Sequence, residues 1–412
     1  MALLIGDRLR ANAEPEGDGK RLALVNGRII LPDSIVEGSS LLVEDGIILG
    51  IATGDELGSG IERFDVGGRL IAPGLVDIHT HGALGHSFNE PSESAWQTIT
   101  AENARRGITS ILATMVAAPL PDLLASLGFA REWIRKGGLP EARTPGQSQV
   151  LGVHLESPYI DPDQCGALDP ASLRLPSDGS VAALLDFSDV LKIFVLAPEL
   201  PGALALVADL VAAGILPAAG HSSAKDEDVS AAMELGLSHV THIWSAMSSV
   251  IREGPWRRPG LLEAALAFDG LTVEMIADNR HLPPTLMKLA WKCIGAKRLC
   301  AISDACSGAG LPEGSTYSLG AMVFEVRGSV GQSLDHRVFG GSTTLLNQEL
   351  PILTKVLGIP LCEALRMASL TPATVIGAAS RKGSLEAGKD ADLAVFDDDF
   401  NAWRTMIRGR WL

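Results

Sequence analysis

Through the middle of the chain, short apolar runs alternate with amphipathic stretches, whereas both ends carry only brief β-type segments. Eight runs of the first kind stand out: Leu75–His81, Ile108–Met115, Val150–Glu156, Leu191–Leu196, Leu216–His221, His239–Ile243, Leu271–Asp278 and Leu299–Asp304. Between them, apolar residues recur at helical spacing, as over 120–136, where Leu123, Leu124, Leu127 and Trp133 share a face, and over 202–213, 226–235 and 284–295. Strand-length runs alternating with helices read as βα units around a parallel sheet, and eight of them predict a closed (β/α)8 barrel rather than an open sheet. At the ends, segments 21–31, 40–52 and 61–71 are separated by turn pairs such as Asn26-Gly27 and Asp45-Gly46, and 391–396 and 403–408 repeat the style. The expected organisation is a small β-sandwich domain formed from residues 1–72 and 383–412, flanking a barrel over 73–382. The Gly- and Ser-rich stretch 305–342 is the longest loop-like insertion, with a hairpin expected at 316–327.

Composition narrows the partners. With 412 residues and 46% apolar side chains the chain can bury a large core, and its length suits a barrel of about 250 residues plus a companion. A net charge of −15 without any block of Lys and Arg argues against nucleic acid. Neither a secretory leader nor a run of about 18 apolar residues is present, so no membrane association is expected and the expected compartment is the cytoplasm. Five cysteines, Cys165, Cys293, Cys300, Cys306 and Cys362, lack the paired spacing of disulfides or thiolate zinc sites and are expected to be mostly buried small hydrophobes.

The polar residues are most informative where the apolar runs stop. Five of the eight inferred strands finish in a potential metal ligand or proton-transfer group: His79 and His81, Glu156, His221, His242 and Asp304. In such a barrel the C-terminal strand ends carry the chemistry, because loops there vary while the opposite face maintains the fold. His79 and His81, two apart, aim to the same side of their strand. Imidazole and carboxylate together suit zinc or another divalent first-row ion. Singly, each residue has a plain reading: a His-x-His on a strand is more often two ordinary histidines, and an acid at a strand end usually caps a loop. The conjunction of six at matching ends points to a metal site. His86, His154, His239 and His336 stay outside the ligand set, with His154 and His239 expected to pack or to support a ligand. Lys192 lies near the start of its strand, so Glu156 is expected to fill any bridging role that a carboxylated lysine would take.

Several longer motifs surround these residues. They are 72–82 (APGLVDIHTHG), 152–158 (GVHLESP), 220–222 (GHS), 241–247 (THIWSAM), 302–305 (ISDA) and 383–393 (GSLEAGKDADL), with 21 residues from His221 to His242. Over nearly the whole chain this resembles the N-acetylglucosamine-6-phosphate deacetylases of the amidohydrolase superfamily. The resemblance implies that Glu156, His221 and His242 hold the principal divalent metal, Zn2+ or alternatively Fe2+ or Mn2+, and that His79 and His81 allow a second ion. It further implies Asp304 as the catalytic acid/base, taking a proton from water and returning it to the leaving amine, and His281 as a donor to the oxyanion. A small anionic amino sugar is the implied substrate, and a homodimer the implied assembly.

The sequence departs from the family pattern mainly around the sugar. Ser157 follows Glu156 where Gly is usual, Leu168 replaces a His or Gln, Ser245 replaces Asn, and an Asp-Gly-x-His pattern reads Asp278-Asn279-Arg280-His281. Arg257 matches a phosphate-binding arginine within Arg257-Arg258-Pro259-Gly260. The expected substrate contacts are Ala167, Leu168, Ser245, Ala246, Arg257, Asp278, Arg280, Phe339, Gly340 and Gly341. The same machinery would serve a relative that hydrolyses another amide, such as an N-acyl amino acid or a cyclic amide. A barrel that only binds would have no need of both metal ligands and Asp304.

Overall fold

In the computed structural model, residues 21–53, 57, 60–137, 146–320 and 322–412 are described. Eight strands lie in chain order around one parallel sheet: Leu75–Thr80, Ile108–Val116, Gln149–Glu156, Leu191–Leu196, Leu216–Ala219, His239–Val240, Thr272–Ile276 and Leu299–Ile302. All eight apolar runs of the sequence are accounted for. The last strand returns to the first: Asp304 N–H donates to the His79 carbonyl at 2.9 Å, and the Ser303 hydroxyl donates to Asp77 Oδ2 at 2.5 Å.

Burial on both faces explains why these strands read as continuous apolar runs. In Ile108–Val116 all nine residues are buried. Leu112, Ile193, Val195, Ala218, Ile276 and Ile302 form one cluster, facing the barrel interior. Their strand neighbours Ile111, Ala113, Phe194, Leu196, Ala219 and Met275 instead pack with the helical layer through Trp96, Leu123, Leu206 and Met287. The expected helices are present as Leu120–Arg135, Ala203–Ala212, Asp226–Glu234 and Pro284–Ile294.

The ends of the chain meet in a β-sandwich. One sheet comprises Arg21–Val25, Ser39–Glu44, Ile47–Thr53 and Glu62–Asp65; the other joins Arg28–Ile30, Ile35–Val36 and Leu70–Pro73 to Leu393–Phe396, Ala402–Ile407 and Arg410–Trp411. Leu24, Leu41, Val43 and Ile48 from the first sheet pack against Ile29, Ile71, Leu393, Val395 and Met406 from the second. Leu70–Pro73 pairs antiparallel with Leu393–Phe396 and runs, after Gly74, into the first barrel strand.

The expectation of mostly buried cysteines needs correction, whereas the hairpin expected at 316–327 is present: Thr316–Leu319 pairs with Met322–Arg327, and Val330–Ser333 and Phe339–Ser342 extend it to a four-stranded meander within the insertion 305–342. Its Gly and Ser content hid the later strands, in which Gly340 lies against the Phe324 ring: a Cβ there would stand 2.3 Å from the ring. Of the cysteines, all free, only Cys300 and Cys306 are buried. Cys293 is exposed because Met287, Ala290 and Ile294 define the inward face of its helix. Among the described residues no helix is long and apolar enough to cross a membrane.

Candidate active site

Glu156, the last residue of its strand, is the hub on which the predicted ligands converge. Its Oε1 lies 3.0 Å from His221 Nε2 and 2.8 Å from His242 Nε2, and those two nitrogens are 3.0 Å apart. Its Oε2 lies 3.4 Å from His81 Nε2, which is 3.3 Å from His79 Nε2 and 3.1 Å from Asp304 Oδ1. All six residues named from strand ends therefore meet in one buried cluster.

The donor set fits a cation. A carbonyl only accepts, so His221 Nδ1 donates its proton to Gln164 O at 2.8 Å, leaving the Nε2 lone pair to face Glu156 Oε1 and His242 Nε2. Lone pairs and a carboxylate oxygen at such distances repel unless a positive charge lies between them. Within each of two groups, Glu156–His221–His242 and His79–His81–Glu156, the ligand atoms lie within 4.8 Å of one another. Glu156 belongs to both, which suits a bridging carboxylate.

Electrostatics follow from burial opposed by neighbours. Burial raises the Glu156 carboxyl, but the charge of His79 overcomes it and holds the group well below the usual carboxylate range. Burial likewise raises Asp304, and the His81 hydrogen bond with the charges of His79 and His81 brings it below its ordinary value. His79 is disfavoured as a cation by burial, yet the carboxylates of Glu274 and Glu156 hold it well above the usual histidine range. His154, buried with Nδ1 donated to the Ile78 carbonyl at 2.8 Å, is pushed down to about 3 and stays neutral.

Backbone strain concentrates here. His221, Trp244, Ala246, Asn279 and Asp304 all have left-handed backbones, with φ between 46° and 71°. Each such residue costs of order 1 kcal/mol, a cost that aims side chains which regular strands would direct elsewhere. The Asp304 carbonyl accepts from Ser342 N–H at 2.9 Å, seating the strand Phe339–Ser342 beside it. Gly341, at φ +80°, would bring a Cβ to 3.0 Å from that carbonyl, so only glycine sits there without strain.

The predicted substrate contacts are placed unevenly. Gly166 stands beside His221 and Ala246, which puts the loop holding Ala167 at the ligand cluster, although Leu168 itself is buried with the interior residues. Ser245 N–H donates to the His242 carbonyl at 3.0 Å. Asp278 Oδ2 takes the proton of His281 Nδ1 at 2.8 Å, and its Oδ1 takes the backbone N–H of Arg280 and His281. Burial works against a charged His281, but the hydrogen bond and charge of Asp278 raise it above the usual histidine value. The Phe339 ring packs edge-on against His281, centroids 5.2 Å apart. Arg280 is exposed and its Nε donates to Gly328 O at 2.6 Å. Arg257 lies on an exposed hairpin, in register with Arg252.

Sequence reasoning missed Glu274. It is fully buried on the strand Thr272–Ile276 and bonds His79, Thr241 and His239. An acid within the apolar run Leu271–Asp278 was the available signal, since unpaired buried carboxylates are rare. Glu349 was also missed; burial, with Asp278, Asp77 and Asp304 nearby, raises it well above the carboxylate range.

Comparison with known proteins agrees with this geometry. The sequence pattern described as "Amidohydrolase family" matches residues 70–412. An N-acetylglucosamine-6-phosphate deacetylase of Bacillus subtilis is 32% identical over 342 residues, covering 82% of this chain and 84% of that protein. An N-acetylgalactosamine-6-phosphate deacetylase of Escherichia coli O157:H7 is 29% identical, with coverage of 93% and 97%. The crystal structure of an N-acetylglucosamine-6-phosphate deacetylase from Pasteurella multocida superposes with a TM-score of 0.88 at 28% identity, covering 95% of this chain and 99% of that one. With its closed barrel and its histidine–carboxylate cluster suited to a divalent metal, this chain is an amide-bond hydrolase of the amidohydrolase family and belongs to its N-acetylglucosamine-6-phosphate deacetylases.

Proposed function

We propose that the chain hydrolyses the N-acetyl amide of N-acetylglucosamine 6-phosphate, giving acetate and the free amino sugar. The observation that carries this reading is the meeting of Glu156 Oε1, His221 Nε2 and His242 Nε2 within 3.0 Å of one another, beside Asp304. In this reading Glu156, His221 and His242 hold the principal ion, and His79 and His81 share Glu156 with a second. Zinc is the expected metal, with Fe2+ or Mn2+ suited to the same donors. When bound, it acts as a Lewis acid that lowers the pKa of water to about 7.

The protein's own groups do the remainder. Asp304 starts as a carboxylate, as its lowered pKa favours, accepts a proton from the attacking water and passes it to the leaving nitrogen. Asp278 keeps the proton of His281 on Nδ1, and the raised basicity of the ring supplies a second proton on Nε2 for the developing oxyanion. Ala167, Leu168, Ser245, Ala246, Asp278, Phe339, Gly340 and Gly341 surround the sugar, and Arg257 and Arg280 supply positive charge for its phosphate. The reading includes the division at residues 72/73 and 382/383, supported by the shared sheet of the two ends, and a cytoplasmic homodimer by analogy with the family.

The similarity to the N-acetylgalactosamine-6-phosphate enzyme favours a second reading, in which the hexosamine differs only in stereochemistry. Amine release from both sugar phosphates, their unphosphorylated forms and N-acyl amino acids separates the alternatives. Turnover of N-acetylglucosamine 6-phosphate above its epimer is expected; no turnover of any acetylated amino sugar would overturn the reading.

A further inference from the structure

Glu274 is a fully buried carboxylate in the middle of a barrel strand. Burying such a charge is costly unless hydrogen bonds satisfy it. Its Oε2 accepts from the Thr241 hydroxyl at 2.6 Å and from His79 Nδ1 at 2.9 Å, and the backbone N–H of His242 reaches the same oxygen at 3.4 Å. Its Oε1 accepts from His239 Nε2 at 3.1 Å. Two of these donors belong to metal-ligand residues from opposite halves of the cluster, His79 and His242.

We propose that Glu274 is the positioning residue of the metal centre. By accepting the Nδ1 proton of His79 it commits that ring to presenting its Nε2 to the cluster. Through the His242 backbone it keeps His79 in register with Glu156 and His221. The inference rests on the metal reading above. An imidazole hydrogen-bonded to a carboxylate on one nitrogen is a more basic ligand at the other, and loss of such a partner typically costs about 10–100-fold in metal affinity. The ligand atoms of His79, His154 and Glu274 also lie within 4.8 Å of one another, near enough for an ion of their own. Yet the proton between His79 Nδ1 and Glu274 and the bond from His154 Nδ1 to the Ile78 carbonyl leave that trio already committed.

The test uses the zinc-loaded full-length chain labelled with ¹⁵N-histidine, with His79→Gln to assign the ring signals. His79 is expected to carry its proton on Nδ1. In Glu274→Gln the Nδ1 proton should move upfield, and zinc should bind about 10–100-fold more weakly in titrations of the stripped protein. A wild-type His79 with its proton on Nε2, or a folded Glu274→Gln chain with unchanged signal and affinity, overturns the inference while leaving the metal reading intact. If Glu274→Gln does not fold, the wild-type tautomer alone decides. A wild-type chain that takes up no zinc overturns both.

Discussion

His221 is oriented by a neutral group, the Gln164 carbonyl, whereas His79 is oriented by a charge, the carboxylate of Glu274. Both rings approach Glu156 Oε1, His221 Nε2 at 3.0 Å and His79 Nε2 at 3.6 Å, and the contrast sets what each half of the cluster responds to. A carbonyl partner fixes the tautomer of His221 without adding negative potential, so that half depends on geometry. Two carboxylates around His79 make it hold positive charge of one kind or another, so that half depends on electrostatics. Between them Glu156 belongs to both, and Asp304 Oδ1 lies 3.1 Å from His81 Nε2 and 3.5 Å from His79 Nε2.

Substitutions can break this contrast in graded ways. The largest effect is expected from His221→Ala, which leaves two donors for the principal ion: turnover should fall to background and elemental analysis should find that metal lost. Asp304→Asn should lower kcat by about 10²–10⁴-fold with bound metal retained, because it removes proton transfer and not a principal ligand. For His281→Asn, which removes the oxyanion donor, steady-state kinetics should give a loss of about 10²–10³-fold in kcat. His81→Asn should cost about tenfold, near the lower end for altered metal surroundings, and leave the affinity of the His221 half unchanged in zinc titration. A variant that instead emptied both halves would remove the distinction.

The smallest effect expected is a shift in pH dependence. His281 is protonated up to a pH above its ordinary value because Asp278 raises it, so activity that needs the protonated ring is lost as pH rises through that higher pKa. Asp278→Asn removes the support, and the basic limb of the kcat/KM profile should move to lower pH. An unmoved limb would mean that another group sets it.

The barrel was legible because both faces of each strand are buried: Leu191–Leu196 and Leu299–Ile302 read as unbroken apolar runs for that reason. The ligands were legible because each closes such a run, where a polar side chain has no packing role to explain it. Glu274 was overlooked because it lies within a run, and what satisfies it comes from His79, Thr241 and His239, far away in sequence. His239 and His154 were expected to pack or to support a ligand; His239 reaches Glu274, while His154 bonds the carbonyl next to His79. The meander was underestimated because Gly340 and Gly341, which look like a turn, allow close packing against Phe324 and Asp304 within a strand.

The pairing of Leu70–Pro73 with Leu393–Phe396 carries a consequence for biosynthesis. About 320 residues separate Pro73 from Leu393, so at roughly 5–20 residues per second the earlier strand waits some tens of seconds on the ribosome for its partner. During that interval it offers an open sheet edge, continuous with the strand that carries His79. A nascent chain stopped short of Leu393 would expose that edge permanently, and such products should be strong clients for chaperones and proteases.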